Sequence, residues 1–90
     1  MIDERFIIFG RSSCNFCIMA ADYCSALKQD YVFLDYEDQQ SLIEEYKNFY
    51  DQKTVPIILL NNKTTGLTRK LGGYTDLLEY FETTNGEALV

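Results

Sequence analysis

The chain has 90 residues and contains no histidine. Without an imidazole group, it cannot supply a histidine general base, a Ser-His-Asp triad, a Cys-His pair or a zinc site of the mixed Cys/His type. Any chemistry that the protein performs must therefore depend on other side chains.

Positive charge is also scarce, with 8 Lys and Arg residues against 14 Asp and Glu residues and a net charge of −6 at pH 7. Such a chain is repelled by nucleic acid phosphates and by anionic membranes. No apolar run approaches the roughly 20 residues of a membrane span, and residues 1–5 lack the basic segment of a signal peptide. We therefore expect a cytoplasmic protein with no nucleic acid and no membrane as partner.

Cysteine occurs three times, and two of the three residues stand in the pattern C-N-F-C at residues 14–17. An odd number of cysteines in a short chain argues against the disulfide framework of a small secreted protein. With 47% hydrophobic residues, the chain has enough apolar surface to build one core without disulfides. We predict a single domain over residues 1–90.

Hydrophobic periodicity predicts a β-α-β unit in the first part of the chain. The apolar run at residues 6–9 is typical of a buried strand, and residues 31–36 are rich in aromatic and β-branched side chains. Between them, apolar residues recur from Cys14 to Leu27 at helical spacing. A helix between two buried strands favours parallel pairing.

The second part of the chain predicts a further helix, a hairpin and a last helix. Asp38 or Ser41 is expected to cap the second helix, with Glu44 completing a capping box after Ser41. Strands are predicted at residues 55–60 and 64–71, and a final helix capped by Thr75 follows. The predicted order is β-α-β-α-β-β-α, which is an α/β fold.

A C-x-x-C motif alone is compatible with zinc ligation, redox chemistry or chance. The position of this cysteine pair in the predicted fold favours redox chemistry. Cys14 follows a strand and a small polar loop and opens a helix, whose dipole and free N–H groups stabilise a thiolate. Cys17 lies one turn further on the same face, close enough for a disulfide. Cys24 is predicted to be a buried apolar residue of the same helix.

Three motifs in this order resemble those of the glutaredoxins, a family of the thioredoxin-fold superfamily. They are R-S-S-C-N-F-C at residues 11–17, T-V-P at residues 54–56 and G-G-Y-T-D-L at residues 72–77. The resemblance implies a thioredoxin-like fold with a four-stranded mixed sheet and helices on both faces. It also implies a cis peptide bond before Pro56 and glutathione as reductant and co-substrate.

The resemblance further implies a glutathione site. Arg11 would contact the glycine carboxylate of glutathione, and Lys53 resembles a second basic position of that kind. Val55 would pair its backbone with the glutathione cysteine, while Thr75 and Asp76 would hold the γ-glutamyl carboxylate and amine. The other predicted binding residues are Phe16, Thr54, Pro56, Gly73 and Tyr74.

Each of these positions also has an ordinary structural explanation. Gly72 and Gly73 suit a turn, Thr75 suits an N-cap, and the Val55-Pro56 pair suits the entrance to a strand. Elementary electrostatics nevertheless favours a binding site, because a helix N-terminus attracts anions and Asp76 in its first turn offers a carboxylate to an ammonium group.

Asn15 and Phe16 depart from the common C-P-Y-C pattern of dithiol glutaredoxins. Losing the proline frees the backbone torsion φ and restores an N–H donor in the first helical turn. Family members without this proline include proteins in which the first cysteine and glutathione bridge two subunits through a 2Fe-2S cluster. A role as cluster carrier therefore stays open.

The leading hypothesis is a monomeric enzyme, a thiol-disulfide oxidoreductase that needs no metal. With glutathione it would reduce protein disulfides or glutathione mixed disulfides, Cys14 attacking and Cys17 resolving. One alternative is the glutathione-ligated 2Fe-2S carrier. Another is a redoxin that depends on thioredoxin reductase and serves ribonucleotide reductase; Arg11, Lys53 and Asp76 count against it, since they make sense chiefly if glutathione binds.

Overall fold

The computed structural model describes the backbone of residues 3–89 and the side chains of residues 3–82. Its elements are β1 (Glu4–Gly10), α1 (Asn15–Ala26), β2 (Tyr31–Asp35), α2 (Gln40–Phe49), β3 (Ile57–Asn62), β4 (Thr68–Gly72) and α3 (Tyr74–Leu89). The predicted order β-α-β-α-β-β-α is confirmed.

The strands form one mixed sheet in the order β2-β1-β3-β4. β1 and β2 run parallel, with Gly10 opposite Asp35 at their carboxyl ends. β3 runs antiparallel to both β1 and β4. Because β1 and β2 end at the same edge, the segment that enters α1 and the loop that follows β2 lie side by side there.

Side chains of the two central strands alternate between the faces of the sheet, and each face is covered by helix. On one face, Phe6, Ile8, Ile58 and Leu60 pack with residues of α1 and α3, namely Ala20, Cys24, Leu77 and Phe81. On the other face, Phe9, Ile57 and Leu59 pack around Ile43 of α2. This arrangement confirms the thioredoxin-like α/β fold with helices on both faces.

The start of α2 differs from the sequence-based prediction. Gln39 is its N-cap, and the Gln39 side chain makes no capping hydrogen bond. The predicted caps Asp38 and Ser41 are therefore wrong, and Glu44 pairs with Lys47 at 2.7 Å instead of closing a capping box. An (i, i+3) ion pair within the helix competes for the same carboxylate.

β4 is shorter than predicted because its first residues form a turn. Asn62 Oδ1 accepts hydrogen bonds from the N–H groups of Thr64 at 2.9 Å and Thr65 at 3.0 Å. Gly66 then adopts a φ of +80°, in the region that favours glycine. No helix within residues 3–89 is long and apolar enough to cross a membrane.

Candidate active site

Cys14 is the N-cap residue of α1. Its backbone is extended, with φ −89° and ψ 114°, and its Sγ accepts a hydrogen bond from the N–H of Cys17 at 3.3 Å. Its carbonyl accepts the N–H of Ile18 at 3.1 Å, which opens the helix. The partly exposed sulfur thus stands at the positive end of the helix dipole, where a thiolate is stabilised.

Cys17 is fully buried, one turn into the helix. Burial, followed by the hydrogen bond to Cys14, raises the pKa of the Cys17 thiol from 9.0 to about 12. Cys17 therefore carries its proton at neutral pH. Space for its sulfur depends on Gly10, because a Cβ at that position would lie 2.6 Å from Cys17 Sγ.

The segment before β3 lies against the cysteine pair. The Val55-Pro56 peptide bond is cis, as the family resemblance implied, and the Val55 carbonyl oxygen is 4.0 Å from Cys14 Sγ. The Gln52 side chain holds this segment, since its Nε2 donates to the carbonyls of Thr54 at 2.9 Å and of Pro56 at 2.7 Å.

The start of α3 forms the opposite wall. The helix begins at Tyr74, so Thr75 lies inside its first turn and does not cap it. The N–H of Gly73 instead donates to Asp76 Oδ2 at 2.8 Å. Gly72 has a φ of +130°, and a Cβ there would collide with the Asp76 carboxylate. Glycine at position 72 therefore permits the close approach of Asp76 to the turn.

A cleft of about 690 Å³ lies between these two walls. It is lined by Phe16, Gln52, Thr54, Val55, Pro56, Lys70, Leu71, Gly72, Gly73, Tyr74, Thr75 and Asp76. At one side, the exposed Phe16 ring meets the Tyr74 ring at 5.8 Å between centroids. Val55 connects the cleft to Cys14. The volume of the cleft and its mixture of apolar and polar groups suit a small peptide-like molecule.

Residues 6–64, more than half of the chain, match the family model described as Glutaredoxin. The chain belongs to the glutaredoxin family. Glutaredoxin membership supports a thiol-disulfide oxidoreductase type of function and makes the C-x-x-C segment the natural centre of the site.

One solved structure shows the same fold, and a second is more distantly similar. Glutaredoxin 1 from Francisella tularensis, crystallised as a complex with cacodylate, superposes with a TM-score of 0.65 at 20% identity, covering 92% of this chain and 98% of that chain. A thioredoxin-related protein from Neisseria meningitidis serogroup B gives a TM-score of 0.42 at 12% identity, covering 96% and 87%. No curated protein sequence is significantly similar to this chain.

The structure brings most of the predicted glutaredoxin site residues to one cleft. Phe16, Thr54, Val55, Pro56, Gly73, Tyr74, Thr75 and Asp76 all line it. Arg11 and Lys53 are not among the lining residues. Arg11 is half-buried in the turn before Cys14, where its carbonyl accepts the Cys14 N–H at 3.1 Å, and Lys53 is exposed.

Sequence reasoning missed two polar residues of the cleft. Gln52 stands two residues before Thr54, so its closeness to the T-V-P motif was the available signal. Lys70 lies on β4, where its Nζ donates to the carbonyl of Tyr50 at 2.8 Å, and its closeness to the G-G-Y-T-D-L motif was the available signal. Among the described residues, no three His, Cys, Asp or Glu side chains are grouped to hold a metal ion.

Proposed function

We propose that the protein is a glutathione-dependent thiol-disulfide oxidoreductase that reduces protein disulfides or glutathione mixed disulfides. The observation that carries this proposal is the placement of Cys14 Sγ at the N-cap of α1, 3.3 Å from the Cys17 N–H and beside an open cleft. This combination supplies a stabilised, accessible sulfur nucleophile and room for a peptide-like thiol.

In the first step the Cys14 thiolate attacks one sulfur of the substrate disulfide. The substrate S–S bond breaks as the new bond to Cys14 forms, and the departing thiolate takes a proton from solvent. The product is a mixed disulfide on Cys14. The Cys17 N–H that faces Cys14 Sγ stabilises the negative charge before the attack.

The second step has two routes, which depend on the substrate. With a protein disulfide, the Cys17 thiol loses its proton and attacks Cys14 Sγ, so that the substrate leaves as a dithiol and residues 14 and 17 become a disulfide. With a glutathione mixed disulfide, a second glutathione attacks the Cys14–glutathione bond and releases oxidised glutathione. In the first route one glutathione then attacks the Cys14–Cys17 disulfide and a second attacks the resulting mixed disulfide, which restores both thiols and releases oxidised glutathione. Each route thus transfers two electrons, and glutathione is the final donor.

The raised pKa of Cys17, about 12, suits its part in this sequence. A protonated and buried Cys17 does not compete with Cys14 for the incoming disulfide. Once Cys14 is held in a mixed disulfide, its hydrogen bond and charge no longer oppose ionisation of Cys17. The resolving thiol is therefore easier to ionise after the first step than before it.

The cleft offers matching groups for glutathione along its length. The backbone of Val55 is available to the cysteinyl unit in strand-like pairing, as in β-augmentation. The amino end of α3 attracts a carboxylate, and Asp76 attracts an ammonium group. Lys70 adds a positive charge to the cleft and is a candidate partner for the other carboxylate of the tripeptide.

A glutathione-coupled disulfide exchange assay tests the proposal, with variants that separate the roles of the cysteines. Cys14→Ser should abolish turnover of every substrate. Cys17→Ser should block reduction of protein disulfides yet retain turnover of glutathione mixed disulfides. Cys24→Ala is the matched control, because Cys24 is a buried core residue that does not line the cleft, and its activity should match the wild type.

Two outcomes would contradict the assignment. Equal loss in the Cys14 and Cys17 variants with both substrates would argue against separate attacking and resolving roles. A protein that is reduced by a flavin-dependent thioredoxin reductase and ignores glutathione would be a redoxin of the other type.

A further inference from the structure

The turn that leads into α1 is tied to the loop after β2 by two carboxylates. Residues 11–14 form this turn, and its two corner residues donate their backbone N–H groups outward. The N–H of Ser12 donates to Asp35 Oδ1 at 3.0 Å, and the N–H of Ser13 donates to Glu37 Oε1 at 2.8 Å. These hydrogen bonds join the turn to the last residue of β2 and to the loop after it, more than 20 positions away in the chain.

Asp35 is well placed to fasten the two loops together. It stands opposite Gly10 at the carboxyl edge of the parallel pair, where the N–H of Tyr36 also donates to the carbonyl of Gly10 at 2.8 Å. The same Oδ1 atom accepts the N–H of Glu37 at 3.0 Å, so one carboxylate oxygen fixes both loops. Glu37 is thereby oriented toward Ser13.

The backbone N–H groups around Cys14 have two kinds of acceptor: groups that hold the turn, and the Cys14 sulfur itself. The N–H groups of Ser12 and Ser13 are held by the carboxylates, and the N–H of Cys14 is held by the carbonyl of Arg11. The Cys17 N–H is left to face Cys14 Sγ. The position of that sulfur depends on the turn, because Cys14 is both the last residue of the turn and the first of the helix.

We propose that Asp35 and Glu37 are positioning residues of the active site, which hold the turn of residues 11–14 so that Cys14 Sγ stays at the helix end in its reactive arrangement. The inference rests on Cys14 being the nucleophile of the proposed function. Neither carboxylate touches the reacting sulfur; they act through the backbone of the two serines.

The charge state of both groups fits this role. Hydrogen bonds from the Glu37 N–H and then from Ser12 hold the pKa of Asp35 below its usual range. Hydrogen bonds from the Ser13 hydroxyl and N–H lower the pKa of Glu37, and the nearby Arg11 charge acts in the same direction. Both acceptors are therefore ionised at neutral pH and accept strong hydrogen bonds.

Charge and geometry make opposite predictions, which allows a sharp test. A negative charge near Cys14 opposes formation of its thiolate, so removing only the charge should leave the sulfur as reactive or more reactive. Removing the acceptor as well frees the turn and should make the sulfur less reactive. Asp35→Asn and Glu37→Gln make the first change, whereas Asp35→Ala and Glu37→Ala make both.

The experiment measures the alkylation rate of Cys14 in the reduced protein by neutral iodoacetamide, with the modified residue identified by mass spectrometry. At pH 7 each alanine variant should react about threefold to tenfold more slowly than the wild type, and its pH–rate profile should move to higher pH. Asn and Gln variants should react at least as fast as the wild type. Thermal unfolding of each variant shows that it is folded.

Asp38→Ala is the matched control, since it removes a carboxylate from the same loop without removing an acceptor of the turn, and its rate should not fall. Alanine variants that react as fast as the wild type or faster would overturn the proposal. If Asp35→Ala does not fold, Glu37→Ala with Glu37→Gln gives the same comparison. Because alkylation needs neither glutathione nor a disulfide substrate, its result is independent of whether the proposed enzymatic activity is found.

Discussion

The three thiols of this chain occupy environments that assign them different chemistry. Cys14 is partly exposed at a helix end, whereas Cys17 and Cys24 are fully buried. Burial raises the pKa of Cys24 to about 11, and Cys17 is raised further because Cys14 adds to the effect of burial. The sequence-based view of Cys24 as a buried apolar residue is confirmed.

These raised pKa values predict that the reduced protein loses stability in alkali. Both thiols are protonated in the folded state up to a higher pH than in the unfolded chain, where the ordinary value is 9.0. Their contribution is complete below about pH 9 and is lost as the pH rises through about 11 and 12. Each thiol should lower the free energy of unfolding by up to about 1.4 kcal/mol per pH unit in that window.

Urea unfolding of the reduced protein between pH 8 and pH 11 measures this effect. Tyrosines also ionise in this range, so the comparison is with Cys24→Ala, which keeps every tyrosine. The variant should be less stable at pH 8, because a core side chain is truncated, but its stability should fall less steeply with pH. Parallel pH curves for the two proteins would refute the prediction.

At the level of the elements, the start of α3 combines a helix cap with a proposed ligand contact. Asp76 Oδ2 accepts the Gly73 N–H, so the carboxylate caps the helix from its first turn. Its charge is also the proposed partner of the glutathione amine. The two roles use different properties of the side chain, the first an acceptor atom and the second a negative charge.

Asp76→Asn and Asp76→Ala should separate these roles. The asparagine variant keeps an acceptor and should lose at most about 0.5 kcal/mol of stability, whereas alanine should lose about 1 kcal/mol. Both variants lose the charge, and both should raise the KM for glutathione by up to about tenfold. An unchanged KM in both would remove Asp76 from the glutathione site, whatever happens to stability.

The elements show what could be predicted from the sequence and what could not. Strands and helices were found in the right order because the continuous apolar runs at residues 6–9 and 57–60 are typical of buried strands and the helices show apolar residues at helical spacing. Helix starts were missed where the capping residue is Gln39 or Gly73, whose side chains give no capping signal. Local sequence patterns indicate which side chains are buried more reliably than they indicate which group accepts the free backbone N–H groups at a helix start.

The candidate site divides in the same way. Residues within the three sequence motifs were predicted to lie together, and most of them line the cleft. Lys70 was missed because it lies on β4, two residues before the G-G-Y-T-D-L motif on which the prediction of this part of the site depended. Lys53 was predicted because it resembles a basic position of the family, yet it is exposed and does not line the cleft.

For the molecule as a whole, the cleft is less acidic than the rest of the protein, because its lining holds one cation, Lys70, and one anion, Asp76. Residues from the first turns of α1 and α3 line the cleft, and so does Lys70 of β4. With a net charge of −6, most of the surface repels anions. An anionic thiol such as glutathione, the proposed co-substrate, should therefore be repelled less at the cleft than at the remaining surface.

The same charge bears on assembly. A glutathione-ligated 2Fe-2S cluster would require two copies of the chain to meet at Cys14, which brings together two molecules that each carry −6. Anaerobic reconstitution with iron, sulfide and glutathione should therefore leave a colourless monomer at low ionic strength. Visible absorption and sedimentation measure the result.

Cys17→Ser, treated in parallel, controls for competition by the neighbouring thiol. Formation of a brown dimer by the wild-type protein would contradict the prediction and support the cluster carrier. If only the variant forms a dimer, Cys17 is the group that prevents cluster binding. Charge repulsion between the two copies is then the wrong explanation.

The pairing of Phe16 with Tyr74 has an optical consequence. The chain has no tryptophan, so its near-ultraviolet emission comes from tyrosine, and Tyr74 is the one tyrosine that lines the cleft. Because Phe16 is 57% exposed, an indole ring fits at its position without entering the core. Phe16→Trp would therefore place a single tryptophan at the mouth of the cleft, and ligand binding there would change the intensity and wavelength of its fluorescence, which can be excited apart from the tyrosines.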